Sequence, residues 1–310
     1  MRNLAATAMS DTHKPYALSN ETAYQAWREQ KLAHYPRRVE DLIVEVKDPR
    51  RLSASEAEKL RGVCGQANMA IYASPLAGVA DKNIPRQLGA QLGLHRLDTN
   101  MLADEDGISA VRVVPEKSGR GYIPYSNQRL LWHTDGYYNA PQQRINAFVL
   151  HCVMPAQEGG VNQYLDHDIA YILLRDAHPD FCVALEAHDA MTIPANTEAG
   201  IEERAARAAS AGAVFSNNNG SLHMRYTSRT RSIVWRQDAA TLAAVQFLEN
   251  LLKSDSPYVF THKLIGGQGV VCNNVLHNRS AFTDAVEPEF ARLLYRARYY
   301  DRIAGCRGGF

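Results

Sequence analysis

The sequence predicts a mainly β fold, closed or sandwiched and antiparallel, with helices on its flanks. Short β-branched runs recur from about residue 107 onward, and turns rich in Gly, Asn and Pro separate them. Capped amphipathic helices appear before and between these runs, with no alternation of the kind that builds a parallel sheet.

Composition narrows the class. With 310 residues, 45% of them hydrophobic, the chain has enough apolar surface for a substantial core. Its 34 basic and 33 acidic residues leave a net charge of +1, so neither nucleic acid nor an anionic membrane is expected as a partner. The five cysteines (Cys64, Cys152, Cys182, Cys272 and Cys306) form no CxxC pair, and Cys152 and Cys272 lie in apolar runs. Free buried thiols in a reducing cytoplasm are the expectation. Residues 1–10 lack the apolar core of a signal peptide, and no stretch reaches the roughly 18 apolar residues of a membrane span. A cytoplasmic location is therefore expected. Without repeats or a low-complexity linker, residues 1–310 read as one domain. Residues 1–106 form an N-terminal helical elaboration and 107–310 the β core.

Taken in order, a loose tail precedes a helix capped by Asn20 and stopped by Pro36. Ser53-Ala54-Ser55-Glu56 is a capping box opening a second helix that carries Leu60, Val63 and Ala67. A strand at 69–72 and a helix over 85–92 follow. The β region opens with 108–114, passes a Gly119-Arg120-Gly121 turn, and approaches the central motif through 122–125. Residues 145–153 form a long strand with Ile145, Ala147, Val149, His151 and Val153 on one face. A strand at 161–165 leads to a helix capped by Asp166, whose His167 is expected to be exposed. Residues 196–212, rich in Ala, Glu and Arg, read as an exposed helical insertion. Asn217-Asn218-Asn219-Gly220 is a hairpin turn. Asp238 caps a helix bearing Leu242, Val245, Leu248, Leu251 and Leu252. Residues 258–265 and 270–276 make another hairpin through Gly266-Gly267-Gln268-Gly269, and the last strand spans 292–300.

The chemistry centres on Leu130-Leu131-Trp132-His133-Thr134-Asp135-Gly136. On an extended segment His133 and Asp135 leave the same face, giving two corners of a metal site. A third ligand is supplied best by His277, at the end of the apolar run 270–276. Two imidazoles and one carboxylate on one side of a metal form the donor set of non-haem Fe(II) sites. In the last strand Arg292, Leu294, Arg296 and Arg298 share a face, which faces either solvent or bound anions.

Trp-His-Thr-Asp at 132–135, Gly-Gly-x-Asn at 159–162, the distal His277 and Arg-x-x-x-Arg at 292–296 resemble, in this order, the taurine dioxygenase-like (TauD/TfdA) family of Fe(II)- and 2-oxoglutarate-dependent oxygenases. The resemblance covers residues 122–300. It implies a double-stranded β-helix, the clavaminate synthase-like jelly roll. It further implies Fe(II) on His133, Asp135 and His277, with 2-oxoglutarate and O2 as co-substrates and succinate and CO2 as products. Arg292 matches the arginine that pairs with the distal carboxylate of 2-oxoglutarate, and Arg296 a position that in some members holds an acidic group of the substrate. The spacing from His277 leaves the choice between Arg292 and Arg296 as the 2-oxoglutarate partner open. Asn162 stands where the family often has a Thr contacting the co-substrate. Asp135, rather than a small residue, argues against a halogenase.

The remaining signals have plainer readings. His178-Pro179-Asp180 is a second HxD, placed at a proline-broken helix end. Arg225, Arg229 and Arg231 form a solvated basic face. Gly266-Gly267-Gln268-Gly269 lacks the Lys-Ser/Thr of a phosphate loop. Tyr137 shares the parity of Asp135, and Arg279 that of His277, so both are candidate substrate contacts beside Arg296. The expected activity is hydroxylation of a small polar or anionic metabolite. The alternatives are a metal-dependent hydrolase on the same His2Asp set and a non-catalytic jelly-roll binding protein. The expected partner is a small-molecule substrate, and homo-oligomerisation is compatible with a family that is often multimeric.

Overall fold

Two sheets face each other across a buried interior, and the His133–Asp135 motif lies where they meet. The computed structural model describes residues 15–99, 106–114, 123–195, 208–218, 220–230 and 233–305. Ten strands build the two sheets: β1 (Ile43–Glu45), β2 (Met69–Ala73), β3 (Ile108–Val111), β4 (Leu130–His133), β5 (Ala147–Met154), β6 (Asn162–Leu165), β7 (Phe260–His262), β8 (Gln268–Cys272), β9 (Leu276–Arg279) and β10 (Leu293–Tyr299). The larger sheet runs β1-β2-β8-β5-β10-β3 and the smaller β7-β6-β9-β4. All pairings are antiparallel except β1 with β2. The N-terminal hundred residues thus give two strands to the larger sheet as well as helices.

Among the described residues there are six helices: α1 (Glu21–Ala33), α2 (Ala54–Ala67), α3 (Asn83–Gln91), α4 (His167–Ala177), α5 (Pro179–Glu186) and α6 (Ala239–Lys253). Asn20, Asp166 and Asp238 accept backbone N–H groups at the starts of α1, α4 and α6. Ser53 and Glu56 close the expected capping box of α2.

Strand β5 shows how the sequence period sorts the layers. Phe148 and Cys152 point to the interior shared with the smaller sheet. Ala147, Val149 and Val153 point the other way, into a layer closed by Leu60 and Cys64 of α2 and Leu88 of α3. Burying each Val or Leu is worth about 1.5–3 kcal/mol, so both faces of this one strand stabilise packing. The β10 face carrying Leu294, Arg296 and Arg298 pairs with Cys152, Leu150 and Phe148. It therefore turns inward, which resolves the two readings of that arginine row.

Several expectations are corrected. His167 is buried, because the N-terminus of α4 abuts Lys31 of α1. The approach to the central motif, Ile123–Tyr125, is a short 3-10 turn. The Gly119–Gly121 turn and residues 196–207 lie outside the described residues, and the end of the supposed helical insertion, Ser210–Gly212, is a strand paired with Met191–Ile193. Cys64, Cys152, Cys182 and Cys272 are buried and outside any disulfide; Cys306 lies outside the described residues. Among the described residues no helix is long and apolar enough to cross a membrane.

His151 lies on the β5 face turned away from the metal motif, with Nδ1 2.8 Å from the Tyr72 hydroxyl. Burial pushes its pKa down to about 4. Below about pH 6.5 the unfolded chain binds a proton that the folded chain refuses, so folding stability falls as pH drops from 6.5 towards 4. In His151→Gln, which keeps a partner for Tyr72, the slope of unfolding free energy against pH in that window is expected to flatten by up to about 1.4 kcal/mol per pH unit. Urea denaturation at several pH values measures it, and an unchanged slope would contradict this reading.

Candidate active site

Strand β4 brings the first candidate ligand, His133, into place. The Trp132 indole N–H donates to Leu252 O at 3.1 Å, anchoring the strand against the end of α6. His133 Nδ1 lies 2.9 Å from Leu131 O, and His277 Nδ1 lies 2.9 Å from Val275 O. A carbonyl only accepts, so both Nδ1 atoms carry the proton and both Nε2 atoms keep a free lone pair. The β9–β4 register sets His277 directly opposite His133, with ring centroids 4.2 Å apart.

Asp135 follows where the chain leaves β4. Its N–H donates to Asn274 Oδ1 at 2.8 Å, while Asn274 Nδ2 donates to Asp135 O at 3.0 Å and Ile145 O at 2.8 Å. Asn274 has a left-handed backbone (φ 54°), a conformation Asn tolerates better than most residues. Gly136 takes φ 68°, and a Cβ there would lie 2.5 Å from Ile145 Cγ1. The turn that aims Asp135 therefore requires glycine.

One potential ligand atom from each of His133, Asp135 and His277 lies within 4.8 Å of the others, and all three residues are buried. His133 Nε2 is 3.7 Å from Asp135 Oδ1, and Asp135 Oδ2 is buried without a hydrogen-bond partner. Burial and the neighbouring His133 push His277 down to about 3. Burial works against the charge of Asp135, but Arg296, His133, Arg298 and His277 outweigh it and hold the carboxyl well below the usual carboxylate range. A carboxylate with a spare oxygen and two imidazole lone pairs is a set that fits a divalent metal.

Among the described residues a second cluster, Asp166, His167 and Asp168, has similar spacing. Its carboxylates already share Lys31, whose Nζ lies 2.7 Å from Asp166 and 3.0 Å from Asp168. Asn68 donates to both. That cluster is a buried ion-pair network. The HxD at His178–Asp180 is exposed, its closest N–O approach 3.7 Å.

The arginines divide by partner. Arg298 is paired with Asp98 and the Tyr138 hydroxyl. Arg279 donates through Nη2 to Ser126 O and Gln128 O, clamping the segment that leads into β4. Arg296 places Nη1 3.4 Å from Asp135 Oδ1 and leaves Nε without a partner. Arg292 is 5% exposed, its Nη1 has no partner, and burial pulls its guanidinium down to about 10. It lines a small cavity with Asn162, Lys263, Cys152 and Gly160. Asn162 Nδ2 donates to Asn278 O at 2.9 Å. Tyr137 is half-buried, packed edge-on against Tyr138.

The family model for the taurine catabolism dioxygenase TauD, TfdA family matches residues 83–298. This chain belongs to the TauD/TfdA family. The TauD/TfdA protein is accordingly an Fe(II)- and 2-oxoglutarate-dependent oxygenase, which sets aside the hydrolase and binding-only alternatives. Solved structures share its fold, the double-stranded β-helix. Asparagine oxygenase in complex with Fe(II), 2S,3S-3-hydroxyasparagine and succinate is 14% identical with a TM-score of 0.58, covering 94% of this chain and 87% of its own. OrfP, a non-heme iron oxygenase, in complex with Fe, succinate and (3S)-hydroxy-L-Arg is 14% identical with a TM-score of 0.60, covering 81% and 82%. OrfP with Fe and alpha-ketoglutaric acid gives 15% and 0.55, covering 81% of each chain. No curated protein sequence matches this chain.

Three supports of the TauD/TfdA site escaped the sequence reading. Asn274 sits in an Asn-Asn pair whose turn character is visible, but its bonds to Asp135 depend on tertiary contact. Arg225, expected on a solvated face, instead donates to Tyr137 O at 2.8 Å, Met191 O at 2.9 Å and Ser210 O at 3.0 Å. Its long side chain ties three segments behind the Tyr137 turn; Arg231 lies outside the described residues. Phe282 packs beneath both Arg279 and Arg292. Asn274→Ala is expected to weaken Fe(II) binding about 10- to 100-fold with the fold retained. Anaerobic equilibrium titration of the apo-protein with Fe(II) measures this, and wild-type affinity would contradict the role given to Asn274.

Proposed function

We propose that this oxygenase hydroxylates a small carboxylate-bearing metabolite of amino-acid type, with Arg292 holding 2-oxoglutarate and Arg296 orienting the substrate. The observation that carries this reading is a pair of incompletely partnered guanidiniums at two distances from the triad. In the β6–β9 register Tyr164 lies opposite His277 and Asn162 opposite Arg279. The Arg292–Asn162 cavity is therefore displaced from the triad by two strand residues, roughly 7 Å. That is the reach of a short dicarboxylate whose other end chelates a metal on the triad. Arg296 is too close for that task, being already at hydrogen-bond range of Asp135.

When bound to His133, Asp135 and His277, Fe(II) supplies the chemistry that couples O2-dependent decarboxylation of 2-oxoglutarate to oxygen insertion at a C–H bond. The chain's own residues do the rest. Arg292 fixes the distal carboxylate with a planar, permanently charged fork. Phe148, whose ring centroid is 4.8 Å from that of His277, and the buried Trp132 and Tyr164 keep the interior dry. Arg296 takes the substrate carboxylate beside the reacting centre, and Tyr137 forms a wall of the entrance. Arg279 acts through the backbone it clamps. Amino-acid substrates are favoured because the named ligands of the similar structures are hydroxylated asparagine and arginine.

The two arginines are separable. Arg292→Ala is expected to raise the KM for 2-oxoglutarate about 100-fold or more, while Arg296→Ala raises the KM for the amino-acid substrate and leaves that for 2-oxoglutarate near wild type. Succinate formation across a panel of amino acids, with both co-substrates varied, measures each effect. A 2-oxoglutarate defect confined to Arg296→Ala would reverse the assignment.

A further inference from the structure

We propose that Phe282 is a positioning residue for the co-substrate: its ring holds the Arg292 guanidinium and so sets the affinity for 2-oxoglutarate. This rests on the assignment of Arg292 to the distal carboxylate. Arg279 Cζ and Arg292 Cζ lie over this ring, 4.8 and 4.9 Å from its centroid. Two like-charged guanidiniums packed on one phenyl ring, all buried, form an arrangement that no apolar packing requirement explains.

Each member is fixed independently. Arg279 is tied to Ser126 O and Gln128 O. Phe282 N–H donates to Asn127 O at 3.1 Å, and Phe282 pairs with Gly159 across a short antiparallel ladder. Gly159 takes φ 67°, and a Cβ there would lie 2.3 Å from Ala281 O. The Gly159-Gly160 motif is thus what lets the chain close onto the segment carrying Phe282. Arg292 is held through its backbone, N–H to Asp284 Oδ1 at 2.6 Å. Its guanidinium forms no ion pair with a described residue.

A buried cation needs compensation. A protein carboxylate would provide it but would compete with an incoming anion for the same N–H groups. An aromatic face stabilises the cation through its quadrupole and leaves every N–H free. Phe282 therefore orders the guanidinium before the anion arrives without consuming its donors.

The test is anaerobic calorimetric titration of 2-oxoglutarate into the full-length Fe(II)-loaded protein, with Fe(II) affinity measured separately. Phe282→Leu is expected to raise the Kd for 2-oxoglutarate about tenfold or more, with Fe(II) affinity unchanged, while Phe282→Tyr stays near wild type. Graded fluorination of the Phe282 ring preserves its shape and weakens its quadrupole, so it decides the matter even where Phe282→Leu fails to fold: Kd is expected to climb with each fluorine. A Kd within twofold of wild type in folded Phe282→Leu or in the fully fluorinated ring overturns the proposal. Failure of the underlying assignment looks different, since there Arg292→Met itself leaves 2-oxoglutarate binding intact.

Discussion

The site depends on one strand pairing. Because β9 and β4 run antiparallel in a register that sets His277 opposite His133, two imidazoles meet that are far apart in sequence. A one-residue slip would turn His277 to the other face of the sheet. Backbone carbonyls two residues before each histidine then fix the tautomers, so both free lone pairs converge without any further side chain. The third candidate ligand, Asp135, is not on a paired strand. It sits on the turn after β4, and Asn274 supplies the rigidity that the sheet does not.

Charge is partitioned with the same economy. Arg298 and Arg279 are spent on Asp98, Tyr138 and backbone carbonyls, which makes them struts. Arg292 keeps an unpartnered Nη1 in a buried interior, where an uncompensated guanidinium is costly and an anion is welcome, while Arg296 leans on Asp135 and, like Arg279, leaves its Nε unpartnered. Behind the ligands, Asn68 links Asn273 to the Lys31–Asp166–Asp168 network, so the turn carrying Asn274 is braced by ion pairs reaching back to α1. The N-terminal helices thus contribute to the site from a distance.

How much of this was legible follows from range. The caps at Asn20, Ser53, Asp166 and Asp238 are local hydrogen bonds, and those four helix starts were readable; the start of α5 at Pro179 was read only as the end of the preceding helix. The alternation in β5 and the shared face of Leu294, Arg296 and Arg298 were equally readable, since a strand's period is a backbone property; Arg292 lies before β10, beyond a break in the ladder at Leu293–Leu294. Which side that arginine face turns to was not, because it is set by pairing of β10 with β5. His167 misled for a related reason: first-turn helix residues are usually exposed, but α1 covers this one. Arg225 looked like one charge of a surface cluster, although its reach allowed it to satisfy three carbonyls. The triad itself came from motif order more than from composition, and Phe282 carried no sequence signal beyond its type.

The central claim is that the triad and Arg292 together form a two-ended site for 2-oxoglutarate. The most direct test compares 2-oxoglutarate with pyruvate, which offers the same chelating 2-oxoacid end but no distal carboxylate, in anaerobic optical titrations of the Fe(II)-loaded protein. The account predicts a visible charge-transfer band that saturates with 2-oxoglutarate at concentrations at least about 100-fold lower than with pyruvate. Equal affinities for the two acids, or no band with either in folded and iron-loaded protein, would contradict it.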